Sequence, residues 1–138
     1  MRGLLQREQL DARVSVESAG TGNYHAGELP DRRARAAARA RGVELTSRAR
    51  QFVRADWDRF DYVLAMDRQN YDALAARAPG PEARAKLRLF RSFDPTSPPE
   101  AEVPDPFFGG DAGFQEVLDL CEVAGAGLIA HLRREHGL

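Results

Sequence analysis

Tyr62-Val63-Leu64-Ala65-Met66, followed at once by Asp67, is the stretch that decides the fold. A half-buried strand alternates apolar with polar residues, whereas this run is apolar throughout, the mark of a strand covered on both faces. Asp67 stands where the strand ends and is placed to cap a helix over 68–78, which Pro79-Gly80-Pro81 terminates. Lys86-Leu87-Arg88-Leu89-Phe90 reads as the next strand. Strands alternating with helices imply right-handed crossovers and a parallel sheet with helices on both faces, and ligands bind such sheets at the carboxyl ends of the strands.

Upstream, Asp56-Trp57-Asp58-Arg59-Phe60 gives one or two helical turns with Trp57 and Phe60 facing the core, and Val43 to Phe52 reads as a connection. Asp31 caps a helix that Gly42 closes, and its alanines Ala34, Ala37 and Ala38 suit close packing on the sheet. Arg13-Val14-Ser15-Val16-Glu17 alternates as an edge strand does, and the chain opens on an amphipathic helix with Leu4, Leu5 and Leu10 on its apolar side. Downstream, Phe114, Val117, Leu118, Cys121, Leu128 and Leu132 repeat at helical spacing, with Asp111 as the expected N-cap.

The 138 residues suit a single domain. A net charge of −1, with the arginines dispersed and Lys86 the only lysine, gives no field for nucleic acid or an anionic membrane. No apolar run reaches about 18 residues and the N-terminus lacks a signal-peptide pattern, so the expected location is cytoplasmic. Cys121 is the sole cysteine and lies on the apolar face of the last helix, which points to packing and excludes an internal disulfide or a cysteine-rich zinc site. The three histidines have no metal-binding spacing; His25 alone sits on a candidate cleft loop, and it reads as a surface residue. No cofactor is expected.

Two loops carry chemistry. Ser18-Ala19-Gly20-Thr21-Gly22-Asn23-Tyr24-His25-Ala26-Gly27 is glycine-rich, but it lacks the dinucleotide spacing and no Gly-Lys-Ser/Thr follows, so neither a nucleotide fold nor a P-loop NTPase is supported. Ser92 to Ala112 is a long aperiodic segment, of a length that is usually functional. Within it, Val103-Pro104-Asp105-Pro106-Phe107-Phe108-Gly109-Gly110 holds one carboxylate between two prolines, which fix φ and leave Asp105 few directions to point. Partial burial against Phe107 and Phe108 would raise its pKa toward that of a general acid; a proline-rich surface turn is the competing reading. The loops from Ser18, Asp67 and Asp105 all leave carboxyl ends of expected strands and are placed to line one cleft. Such a cleft lacks a nucleophile and an anion cradle.

The chain resembles the low-molecular-weight protein-tyrosine phosphatases. The resemblance rests on Ser18 to Thr21 with Tyr24, Gly27 to Asp31, Ala49-Arg50-Gln51, Phe60 to Asp67 with Asn70, and Val103 to Gly110 with Gly113-Phe114, in that family's order and spacing. It implies a three-layer α/β sandwich with a parallel sheet of strand order 2-1-3-4. It also implies hydrolysis of a phosphotyrosine protein or aryl phosphate through a phosphocysteine. Asp105 matches the aspartate that protonates the leaving phenolate and then activates water. Tyr24 and Phe107 match the two aromatic walls that sandwich the aryl group, Ser18 a serine supporting the phosphate loop, and Asp67 a carboxylate near that loop's arginine.

The family's nucleophile lies in a Cys-x5-Arg loop, and no such loop exists here: six residues after Cys121 stands Gly127. Phe107-Phe108 replaces tyrosines through which some relatives are regulated, and Ser47 stands where some carry histidine. The resemblance implies that the first, central strand, the loop and the start of the first helix are missing from this chain. The expectation is therefore one N-terminally truncated domain over 1–138, inactive as it stands, with roughly 20 further codons upstream of Met1. The alternative is a degenerate, non-catalytic binding or regulatory member. An arsenate reductase needs further redox cysteines, and only Cys121 is available.

Overall fold

The computed structural model describes residues 1–22, 26–106 and 110–138. Among them the order is α1 (Arg2–Arg7), α2 (Arg32–Ala40), α3 (Asp56–Arg59), β1 (Val63–Ala65), α4 (Arg68–Arg77), α5 (Pro81–Ala85), β2 (Leu87–Leu89), a 3-10 turn (Phe90–Phe93) and α6 (Gly110–His136). β1 and β2 pair in parallel, Val63 opposite Leu87 and Ala65 opposite Leu89. The α4–α5 crossover between them makes this the α/β architecture that the apolar run Tyr62–Met66 called for.

Side-chain alternation along β1 separates two cores. Val63 and Ala65 join Leu87 and Leu89 against Leu74 of α4, Ala83 of α5 and Trp57 of α3, which is only 2% exposed. Tyr62 and Leu64 face the other way, onto Phe90, Ala124, Leu128 and Leu132 along α6. Helices thus cover both faces of the short sheet. A third cluster, Leu5, Leu10 and Ile129, seats α1 against α6.

Four expectations change. Arg13–Glu17 is not a strand: Val14 and Val16 keep their inward alternation against Leu5 and Leu10, but no described strand lies beside them to complete a hydrogen-bonded ladder. The alanine face of α2 packs on α6 instead of the sheet. Asp111 lies inside the first turn of α6, which begins at Gly110. Phe60 is only half-buried, its ring stacked under the Arg59 guanidinium at 5.0 Å. Asp31 and Asp67 do cap α2 and α4, accepting from the Arg33 and Asn70 amides. No helix among the described residues is long and apolar enough to cross a membrane.

Candidate functional site

The chain leaves β1 through Met66 and Asp67, and Asp67 turns it into α4 by accepting the Asn70 amide on Oδ1 at 2.7 Å. The segment carrying Asp105 is laid across this exit. The Val103 amide donates to the Met66 carbonyl at 2.7 Å, the Arg68 amide to Glu102 Oε2 at 2.7 Å, and Arg91 Nη1 to the Glu102 carbonyl at 2.8 Å. Val103 is buried and anchors the segment, so Pro104 and Asp105 stand over the carboxyl end of β1.

Here a cleft of about 380 Å³ opens, with Asp67 and Asp105 both on its lining. Arg91, Glu102, Glu116 and Leu120 complete most of the wall. Ser18 is not part of that lining and is exposed. Asp105 is exposed as well, so the partial burial expected of it is not found among its described surroundings. Tyr24, His25, Phe107 and Phe108 lie outside the described residues.

The charge of the cleft follows from this lining. Among the described residues, Asp67, Glu102, Asp105 and Glu116 bring four carboxylates against one guanidinium, Arg91, whose buried Nε has no hydrogen-bond partner among them. Such a wall can supply or accept a proton, but among the described residues its lining brings only the Arg91 guanidinium to a phosphoryl dianion, which needs N–H donors and positive charge. Arg91, Glu102 and Glu116 were missed from sequence. Glu116 and Leu120 had a signal in the i, i+4 spacing of α6, whereas Arg91 depends on a 3-10 turn with no sequence periodicity of its own.

Cys121 is half-buried on the inner side of α6. It packs beside Phe90 and Ala124, and burial pushes its thiol up, with the nearby Met1 ammonium opposing that rise and Glu122 adding to it. A reactive thiolate needs the opposite environment. No group of three histidine, cysteine or acidic residues among the described residues is placed to hold a metal ion.

Gly20, in the loop expected to carry one wall of the cleft, lies beside the segment 48–52. Gly20 and Gln51 form a parallel bridge, with the Gly20 amide on the Arg50 carbonyl and the Phe52 amide on the Gly20 carbonyl, each at 2.8 Å. Behind this bridge Asp56 is fully buried, and both its oxygens accept from Arg50, at 2.9 and 3.3 Å. Burial alone would raise the Asp56 pKa, but the Arg50 guanidinium and the Val53 amide outweigh it and hold the carboxyl below its usual range.

Known proteins match this chain along nearly its whole length. Residues 1–137 match the family described as low molecular weight phosphotyrosine protein phosphatase. A low molecular weight protein-tyrosine-phosphatase of Streptomyces coelicolor is 42% identical over 123 residues, covering 88% of this chain and 75% of the relative. The crystal structure of a protein tyrosine phosphatase from Entamoeba histolytica superposes with a TM-score of 0.91 at 36% identity, over 96% of this chain and 84% of that one. An arginine phosphatase of Drosophila superposes with a TM-score of 0.83 at 26% identity, over 96% of this chain and 85% of that one.

Proposed function

The chain belongs to the low molecular weight phosphotyrosine protein phosphatase family, a family of phosphoric monoester hydrolases, and from that premise we propose that its cleft is the proton-transfer half of a phosphotyrosine phosphatase site. The observation that carries the reading is the convergence of Asp105 and Asp67 on one cleft at the carboxyl end of β1. In this assignment Asp105 gives its proton to the leaving phenolate and then takes one from the water that hydrolyses the phosphocysteine. Exposure keeps Asp105 in contact with solvent, as the second step needs. Asp67 orients the residue that binds the phosphoryl oxygens, Ser18 supports the phosphate loop, and Tyr24 and Phe107 stack on the substrate ring.

The thiolate and its Cys-x5-Arg loop are not among these 138 residues. The reading therefore takes the domain to be a phosphatase whose nucleophile comes from residues outside this stretch, and takes the stretch by itself to be inactive. The acidic lining supports that second part, because it repels a phosphate until N–H donors and an arginine are supplied. The same lining favours one alternative, a non-catalytic member that binds a partner without turnover. A protein phosphotyrosine or small aryl phosphate is the proposed substrate. The arginine phosphatase among the structural relatives makes phosphoarginine the comparison substrate to assay beside it.

The test is leaving-group dependence. With a strand, a Cys-x5-Arg loop and a helix start of the family's pattern joined ahead of Met1, Asp105→Asn should lower kcat roughly 10²–10⁴-fold on phenyl phosphate. It should lower kcat far less on an aryl phosphate whose phenolate leaves unprotonated. Equal losses on both substrates would remove Asp105 from the acid role; a joined protein that folds and binds aryl phosphonate without turning over any phosphate would favour the non-catalytic alternative.

A further inference from the structure

The segment Arg48 to Phe52 belongs to no helix or extended strand, yet both ends of the glycine-rich loop are tied to it. At one end are the Gly20 bonds already described, with Gln51 Nε2 also reaching the Thr21 carbonyl at 3.4 Å. At the other, the Gly27 amide donates to the Ala49 carbonyl at 2.6 Å and the Ala49 amide to the Glu28 carbonyl at 2.7 Å. Arg48 Nη1 closes on the Gly27 carbonyl at 2.9 Å. From the far side, Arg77 at the end of α4 holds the Thr21 carbonyl at 3.0 Å.

A five-residue rail with so little regular structure needs something to fix it, and Arg50 is the side chain placed to do so. Its two terminal nitrogens meet the two oxygens of Asp56, whose side chain is fully buried, and Nη2 also meets Glu17 Oε2 at 3.1 Å. Arg59 completes a ring of alternating charge, reaching Glu17 Oε1 at 3.3 Å and Asp56 Oδ1 at 3.5 Å. Two carboxylates and two guanidiniums balance, and Asp56 takes a further bond from the Val53 amide at 2.8 Å. The bidentate pair is the directional member of the ring; a lysine at position 50 would keep the charge and lose the fork. Glu17 immediately precedes the loop, so the ring grips the rail, helix α3 and the loop's entry together.

We propose that Arg50, locked by Asp56, is a positioning residue that holds the rail 48–52 and through it both ends of the loop from Gly20 to Glu28, and so sets the wall on which substrate rests. The last clause rests on the assignment of Tyr24 to that wall; the positioning itself does not.

Amide hydrogen exchange on the full chain tests this without turnover. In Arg50→Gln, the Gly20, Gly27, Ala49 and Phe52 amides should exchange roughly tenfold or more faster, while Leu128 and Ile129 in α6 keep wild-type rates. Arg50→Lys should show most of the same acceleration. Arg59→Gln, whose contact with Asp56 is the longest in the ring, should change these amides by less than about threefold. Acceleration shared in equal proportion by α6 would mean that Arg50 only stabilises the domain, and rail amides unchanged in both Arg50 variants would mean that the loop is held without it; either result overturns the proposal. Because no step needs activity, such a failure is separate from a failure of the phosphatase reading.

Discussion

Replacing Gly127 by alanine should destabilise the protein, against the usual sign for glycine in a helix. Gly127 lies within α6 where that helix crosses the 3-10 turn, and a Cβ built there would stand 1.9 Å from the Phe93 carbonyl oxygen and 2.8 Å from its carbon. An ordinary carbon–oxygen contact is roughly 3.3 Å. The helix or the turn would have to retreat by about 1.4 Å, and the opposing atoms are backbone, which cannot swing aside. Retreat would open the packing of Phe90 against Ala124 and Leu128. Overpacking of this kind costs up to about 3 kcal/mol, while alanine's helix propensity returns about 1 kcal/mol. The net loss is up to about 2 kcal/mol, a fall in Tm of up to roughly 7 °C for a domain of this size. Urea and thermal unfolding followed through the buried Trp57 read it directly. Gly113→Ala in the same helix is the control: its Cβ would meet Pro106 at 3.7 Å, ordinary contact, so the mutant should match or exceed the wild type. A Gly127→Ala protein as stable as Gly113→Ala would refute the described seating of α6 on the turn.

Two further outcomes follow from the charges. Asp56 is held below its unfolded pKa, so its stabilisation is fully present above that value, near 4, and is lost as pH falls through the lower folded value; Asp56→Asn should flatten the acid limb of stability against pH. At neutral pH the same variant should cost about 2 kcal/mol, less than a fully buried pair because Arg50 remains 34% exposed, and an unchanged acid limb would remove Asp56 from the account. Asp105 is exposed, and Asp105→Asn should change stability by less than about 0.5 kcal/mol in urea unfolding. A larger loss would make any catalytic effect of that variant a folding effect.

Strand β1 was legible because burial on both faces leaves a continuous apolar run, and the caps at Asp31 and Asp67 because a cap is a local hydrogen bond. Arg13–Glu17 shows the limit of such reading. Its alternation describes which face is buried and is retained, but a strand also needs a neighbour, and alternation carries no information about one. The alanines of α2 told that something packs closely, not that it is α6. At the candidate site, Asp67 and Asp105 were singled out by their places after a strand and between prolines, and both line one cleft. The exposure of Asp105, the arrival of Arg91 and the Arg50–Asp56 lock depend on how distant segments meet, which no local pattern records.

Hydrolysis of p-nitrophenyl phosphate by the purified 138-residue chain, beside its Asp105→Asn variant, is the most direct test of the claim that these residues hold the acid but not the nucleophile. The account predicts no measurable turnover by either protein, since a general acid without an activated thiolate and preorganised phosphate donors has nothing to assist. Robust turnover by the purified chain that survives Asp105→Asn would contradict it, because both the nucleophile and the proton donor would then lie elsewhere.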